Sequence, residues 1–322
     1  MPSEFDLIAR CFARPTPQAL LGPGDDCALL APSPGMELAI TTDMLVSGTH
    51  FLPDTDPFQL GWKSLAVNLS DLAAMGAKPR WVLLAGSLPE ANEAWIAAFA
   101  DGLFACAGRY AVDLVGGDTT RGPLNLCVTA LGEVPPGTAL RRDAAQAGDD
   151  LWISGQPGFA ALGLAQLQGR TRLPEGLVAP CLAALQQPSP RVELGLRLRE
   201  LKLAKAAIDV SDGLLADLRH IAERSHLAAE VGEALLPGLP AGADPPLARQ
   251  AQLAGGDDYE LLFSAAPGQR VEIDELALAL DLPLTRIGRM VAGQGGVRLL
   301  DASGNEKEFT VMGFDHFAQD HH

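Results

Sequence analysis

Pro57-Phe-Gln-Leu-Gly-Trp-Lys-Ser-Leu-Ala-Val-Asn-Leu-Ser-Asp-Leu-Ala-Ala-Met75 reads as one helix, with an apolar stripe through Leu60, Leu65, Leu69 and Leu72. Asp71 falls near its C-terminal end, where the helix dipole disfavours a carboxylate by under ~1 kcal/mol. Outward from this helix, Trp81 to Gly86 reads as a strand, Ala91 to Tyr110 as an Ala-rich helix and Val112 to Val115 as a short buried strand. Strand and helix alternate. The strand ending in Gly116-Gly117-Asp118 meets a turn-rich link, Thr119 to Pro123, and then a strand from Leu124 to Val134, a pattern that predicts a hairpin.

Around residue 148 the pattern turns polar, which places a boundary between domains 1–148 and 149–322. The second half opens on a strand at Leu151-Trp-Ile-Ser154 and continues through helical segments broken at Pro174, Pro180, Pro188 and Pro190. It reaches Ala206-Ala-Ile-Asp-Val210, after which Ser211-Asp-Gly213 opens a helix carrying Leu214, Leu215, Leu218 and Ile221. Ser211 or Asp212 could cap that helix, worth roughly 1 kcal/mol. A helix start is equally an anion site. Further strands are expected at Tyr259 to Ser264, Leu284 to Met290 and Gly296 to Leu300, with a helix from Val271 to Leu280.

Six short acidic motifs punctuate these elements: Gly24-Asp25-Asp26, Thr41-Thr42-Asp43, Ser70-Asp71, Gly116-Gly117-Asp118-Thr119, Asp209-Val210-Ser211-Asp212-Gly213 and Gly255-Gly256-Asp257-Asp258. Asp and Gly also dominate ordinary turns, so a single motif carries little weight. Several of these follow apolar strand-like runs, however, and carboxylates delivered at strand ends can converge. Oxygen donors beside Gly, Ser and Thr suit a hard cation holding phosphates, Mg²⁺ foremost.

The 322 residues exceed the usual single-domain size, and 48% hydrophobic against 20% charged residues fits a folded protein with two cores. With 24 Lys plus Arg against 40 Asp plus Glu, the formal charge is −16, which disfavours nucleic acid and anionic membrane as partners. Cations bound by the surplus carboxylates would let such a chain handle a polyanion. Five cysteines without a Cys-x-x-Cys pair argue against a disulfide framework and for a reducing cytoplasm. The segment Met1-Pro-Ser-Glu-Phe-Asp6 lacks signal-peptide character, and no apolar run reaches membrane-spanning length. A P-loop, a dinucleotide fingerprint, protein-kinase motifs and zinc-site spacings are all missing from the sequence.

Taken together, Gly24-Asp-Asp26, Thr41-Thr-Asp43, Lys63 through Pro79, Gly116-Gly-Asp-Thr-Thr120, Asp209-Val-Ser-Asp-Gly213 and Gly256-Asp-Asp-Tyr-Glu260 resemble the thiamine-monophosphate kinase family. That family belongs to an ATP-binding superfamily with aminoimidazole ribonucleotide synthetase. The resemblance runs from about Phe5 to Gly313-Phe-Asp-His-Phe317. It implies an α/β (α+β), two-domain, aminoimidazole ribonucleotide synthetase-like fold whose N-terminal sheets pair across a homodimer. It implies transfer of the ATP γ-phosphoryl to thiamine monophosphate with several Mg²⁺ ions, giving thiamine diphosphate.

Carried over by that resemblance, Asp26, Thr41, Thr42, Asp43, Asp71, Asp118, Asp209 and Asp212 are expected metal ligands, and Asp43, Asp71, Asp118 and Asp209 the catalytic set. Gly117, Asp118, Arg142 and Ser211 are the expected ATP contacts. His50, Glu260 and either Phe314 or Phe317 are the expected substrate contacts. Among relatives, selenophosphate synthetase would call for a reactive Cys or selenocysteine near a Lys, and Cys11 has no such setting. The hydrogenase maturation factor would call for a C-terminal cysteine, and the last one here is Cys181. Aminoimidazole ribonucleotide synthetase is the nearest enzymatic alternative, and a non-catalytic divalent-cation or nucleotide-binding protein the alternative of another class.

Overall fold

The structure is a computed structural model and describes residues 8–309 and Gly313. It divides into two compact units, the first running to Ala139 and including Gln186–Val192, the second formed by Leu140–Leu185 and the chain from Glu193 on. The polar stretch around residue 148, where the sequence suggests a boundary, lies in the second unit and leads into its first strand.

The first unit comprises β1 (Glu37–Val46), α1 (Pro57–Ala74), β2 (Lys78–Leu88), α2 (Glu93–Tyr110), β3 (Asp113–Arg121) and β4 (Asn125–Val134). Its sheet has the order β1-β4-β2-β3, with β2 and β3 parallel and the other pairs antiparallel. The expected hairpin is absent, because β2 lies between β3 and β4. A strand returning through a crossover helix enters parallel to its predecessor, so β2, α2 and β3 form a βαβ unit and β4 takes the other side of β2. Gly116-Gly117-Asp118 therefore lies within β3 rather than at its end.

Both helices begin on side-chain caps. Asp56 accepts from the Gln59 amide and Asn92 from the Trp95 amide, each at 3.1 Å, and Pro57 occupies the first helical turn. The helices touch backbone to backbone. A Cβ on Gly61 would lie 2.0 Å from the Phe99 carbonyl oxygen, and one on Gly102 would lie 1.8 Å from that of Phe58. Leu45, Phe51, Leu60, Phe99 and Leu126 form one core cluster beneath this crossing, and Leu84 and Trp95 pack against it.

The second unit is built on a seven-stranded sheet of order β11-β10-β7-β9-β5-β8-β6. Its strands are β5 (Asp150–Ser154), β6 (Ala206–Asp209), β7 (Ala228–Gly232), β8 (Leu261–Ala265), β9 (Leu284–Val291), β10 (Val297–Leu300) and β11 (Glu306–Lys307). Its helices are α3 (Phe159–Leu167), α4 (Glu175–Gln186), α5 (Val192–Glu200), α6 (Leu214–Arg224), α7 (Pro245–Ala254) and α8 (Arg270–Leu280). Pro180 does not break its helix: α4 runs through it and buries Cys181 and Leu185, so packing offsets a proline penalty of about 3 kcal/mol. Leu151, Ile153, Ile208, Leu214, Leu218, Ile221, Leu262 and Ile287 belong to the main core.

Gly61→Ala or Gly102→Ala is expected to force α1 and α2 apart and to cost about 1–3 kcal/mol, read as a lowered urea midpoint. Unchanged midpoints in both variants would refute the backbone contact.

Candidate active site

In the first unit, the two-residue period of β1 decides which groups meet. Thr41 and Asp43 share the face turned toward α1, where the Thr41 hydroxyl donates to the Asp71 carboxylate and the Asp43 amide donates to Asn68 Oδ1 at 3.1 Å. Asn68 and Asp71 lie one helical turn apart, so one stripe of α1 serves both contacts. Burial, and secondly the neighbouring Asp71 carboxylate, push Asp43 up to about 7. Thr42 projects to the opposite face, with its hydroxyl 3.0 Å from that of Thr129 and donating to the Val128 carbonyl at 3.1 Å. Its side chain is not brought together with Asp43.

His50 sits in the turn that follows β1 and accepts the Val46 amide on Nδ1 at 3.0 Å, which leaves the proton of a neutral ring on Nε2. Asp118 is exposed on β3, the sheet edge opposite β1, and pairs in register with Ala85. Three inter-strand steps separate the two edge strands, about 14 Å, so the sheet does not place Asp118 beside Asp43. Gly117 has a structural reason to be glycine, since a Cβ there would stand 1.8 Å from the Leu84 carbonyl oxygen. Asp26 lies on an exposed loop closed by bridging between Leu21 and Leu29.

In the second unit, two acidic motifs run side by side. The Val210 amide donates to Glu260 O at 2.8 Å, Tyr259 N to Val210 O at 2.8 Å, and Asp257 N to Ser211 O at 2.9 Å. Asp209 ends β6 and is 4% exposed. Glu260 is buried and accepts the Ser154 hydroxyl at 2.5 Å, while that hydroxyl accepts the Leu261 amide at 2.9 Å. With its lone pair engaged by Leu261, the Ser154 hydroxyl points its proton at Glu260.

Asp258 takes a structural part, accepting the Gly158 amide at 2.7 Å and that of Ala160 at 3.4 Å at the start of α3. Burial pushes its carboxyl well above the ordinary range. Asp257 and Tyr259 both hold left-handed backbone, at φ 67° and 51°, and the Tyr259 hydroxyl donates to Asp257 Oδ1 at 3.0 Å. Non-glycine residues in that region are strained, and such strain clusters at functional sites.

Gly213 is the residue at the cap position of α6 and offers no side chain. Asp217 acts instead from inside the first turn: its Oδ2 accepts the amides of Ser211, Asp212 and Gly213 at 3.0, 3.0 and 3.2 Å. Sequence reading misses Asp217, whose signal is an acid in the first turn of a helix that opens on Asp-Gly. Arg142 is exposed, and its carbonyl accepts the Ser225 hydroxyl at 2.8 Å. Phe314 and Phe317 lie outside the described residues.

Among the described residues, no group of three or more His, Cys, Asp or Glu side chains is placed to hold a metal by itself. The donor set still suits Mg²⁺, which is commonly held by one or two carboxylates with phosphate and water oxygens completing its shell. Asp43 and Asp71 with the Thr41 hydroxyl are such a set, and a cation relieves their mutual repulsion.

Residues 24–134 match the family model for AIR synthase related protein, N-terminal domain. The chain is 46% identical over 322 residues to the thiamine-monophosphate kinase of Escherichia coli (strain K12), with 98% of each covered. The crystal structure of thiamine-monophosphate kinase from Stenotrophomonas maltophilia K279a superposes with a TM-score of 0.83 at 53% identity, over 90% of this chain and 94% of that one. AaThiL complexed with AMPPCP and TMP gives a TM-score of 0.77 at 30% identity, over 89% of each chain.

Asp43 carries its proton to about pH 7 where an ordinary Asp releases it near 3.8. Its contribution to metal-free stability is therefore full below the ordinary value and lost as pH rises through about 7. Asp71→Asn removes one of the two causes, so the variant is expected to lose less stability than the parent between about pH 5 and about pH 8. Urea unfolding in EDTA at both pH values reads this, and equal losses would show that Asp71 does not act on Asp43.

Proposed function

This chain belongs to the thiamine-monophosphate kinase family, and from that premise we propose how its own residues perform the family's reaction. The enzyme transfers the γ-phosphoryl of ATP to the phosphate of thiamine monophosphate, yielding thiamine diphosphate and ADP. What carries this reading is the near full-length likeness to the Escherichia coli kinase, joined to a site in which Asp43 and Asp71 meet at one seam.

The acceptor is its own nucleophile. A phosphate monoester has a second pKa near ~6, so its attacking oxygen is already anionic at neutral pH and needs no general base. The obstacle is repulsion between two polyanions, about 4 kcal/mol for each pair of unit charges 4 Å apart at an effective dielectric near 20. The assigned carboxylates would hold Mg²⁺, which would supply the neutralising charge that the two phosphates need.

In the first unit, Asp43 and Asp71 supply carboxylate ligands, with Thr41 holding the Asp71 carboxylate in place. Asp26 and Asp118 are assigned the same task from an exposed loop and an exposed edge strand. Thr42 is assigned with them, its hydroxyl donating to the Val128 carbonyl on the other face. His50 presents Nε2 as a donor suited to the phosphate of the acceptor.

In the second unit, Asp209 and Asp212 are assigned to metal, and Ser211 and Arg142 to ATP. Glu260 is assigned to thiamine recognition: a buried carboxylate oriented by Ser154 suits a cationic thiazolium. Gly117 contributes close backbone approach, although the sheet requires glycine there on its own account. Phe314 or Phe317 would complete the acceptor site. Cytoplasmic location fits five free cysteines and the finding that no described helix is long and apolar enough to cross a membrane.

A homodimer is supported by the outer face of the first unit's sheet. Leu38, Ile40, Met44 and Leu83 are 41%, 62%, 53% and 37% exposed on its strands. Contiguous apolar exposure of this kind marks an interface.

Purified protein given ATP, Mg²⁺ and thiamine monophosphate should form thiamine diphosphate, read by chromatography. Asp118→Asn is expected to cut kcat by roughly a hundredfold or more, and Glu260→Gln to raise the KM for thiamine monophosphate while sparing that for ATP. A Glu260→Gln defect confined to ATP would contradict its assignment. Ile40→Lys should turn the dimer into a folded monomer in sedimentation analysis, and a dimer of unchanged affinity would remove this face as the interface.

A further inference from the structure

The start of α6 is where an anion would be expected to dock, because three successive amides converge there and the helix dipole points its positive end the same way. That cradle is already filled. Asp217 Oδ2 takes the amides of Ser211, Asp212 and Gly213 at 3.0, 3.0 and 3.2 Å, and the side chain is 2% exposed. An internal carboxylate thus stands where a phosphate oxygen would otherwise sit. Phosphate held by this segment must be held by the Ser211 hydroxyl or through a cation on Asp212, since the three amides are already engaged by Asp217.

We infer that Asp217 is a positioning residue for the nucleotide: it fixes the 211–213 turn so that Ser211 and Asp212 present their side chains in one geometry. This rests on the assignment of Ser211 and Asp212 to ATP and its metal. Asp217 is buried, whereas Ser211 and Asp212 are partly exposed. The segment is also fixed from the other direction, as the Ser211 carbonyl accepts the Asp257 amide at 2.9 Å and the Val210 carbonyl that of Tyr259 at 2.8 Å. Asp217 therefore controls the amide side of a turn whose carbonyl side is tied to the neighbouring motif. Loss of its carboxylate removes the acceptor of three amides, that of Gly213 buried and those of Ser211 and Asp212 part-buried, and loosens the turn.

Four variants test this: Asp217→Ala, Asp217→Asn, Ser211→Ala and Asp212→Asn. Calorimetry with AMPPCP and Mg²⁺ gives nucleotide affinity without turnover, steady-state kinetics gives KM for ATP and for thiamine monophosphate, and thermal melting follows the fold. Asp217→Ala is expected to weaken AMPPCP binding roughly tenfold or more, with the KM for thiamine monophosphate changed less than about twofold. Asp217→Asn keeps an acceptor oxygen with weaker neutral bonds, so most of the affinity should return, to within roughly threefold of the parent. If the alanine variant does not fold, the asparagine variant decides: a roughly two- to threefold loss of AMPPCP affinity with an unchanged KM for thiamine monophosphate supports the role, and no loss overturns it.

Should Ser211→Ala and Asp212→Asn weaken AMPPCP while the folded Asp217 variants leave it unchanged, or shift both substrates equally, the positioning role is overturned and the site assignment stands. Should Ser211→Ala and Asp212→Asn leave AMPPCP affinity unchanged, the site assignment fails, and the positioning role falls with it.

Discussion

The contact between β1 and α1 is the constraint on which the rest depends. It holds two like-charged groups, Asp43 and Asp71, within reach of one another in a half-buried place, an arrangement no isolated segment would choose. The packing that enforces it is apolar. Leu60 and Phe99 are buried at the α1–α2 crossing, and Gly61 and Gly102 let the two helix backbones touch, so α1 cannot rise off the sheet to separate the carboxylates. The electrostatic cost is thus lodged in a packed seam between strand and helix.

Much of this frame is legible in the residues themselves. The stripe Leu60, Leu65, Leu69 and Leu72 announces α1 to within a residue at its C-terminal end, because helix periodicity is a local property of the chain. Strand partners are a different matter. Leu124 to Val134 reads as the second arm of a hairpin with β3, yet it pairs with β1 and β2, because pairing is settled by the β2-α2-β3 crossover and not by the intervening turn. Pro180 misleads for a related reason: proline weakens a helix locally, and the burial of Cys181 and Leu185 outweighs it.

The candidate site divides in the same way. Thr41, Thr42 and Asp43 read as one motif, but strand alternation splits them between two faces and leaves the Thr42 hydroxyl with Thr129. Asp257 and Asp258 sit in a motif whose composition says only that it is acidic. Side-chain direction separates their roles: Asp258 ends up at the start of α3 and Asp257 against the Tyr259 hydroxyl. Asp217 escapes sequence reading because a single acid in a helix's first turn is common, and only the three amides converging on one oxygen show what it does.

An acidic chain that handles polyanions must keep its own carboxylates from competing with the substrate for positive potential. The structure meets that demand by giving different carboxylates different partners. Asp217 and Asp258 are spent on backbone amides at helix starts, and Asp150 accepts Arg270 at 2.6 and 2.8 Å. Burial and Asp71 hold Asp43 high, so it resists ionisation at neutral pH. A formal charge of −16, in which the arginines are already counted, overstates the repulsion a phosphate meets to the extent that buried carboxylates are engaged by backbone amides.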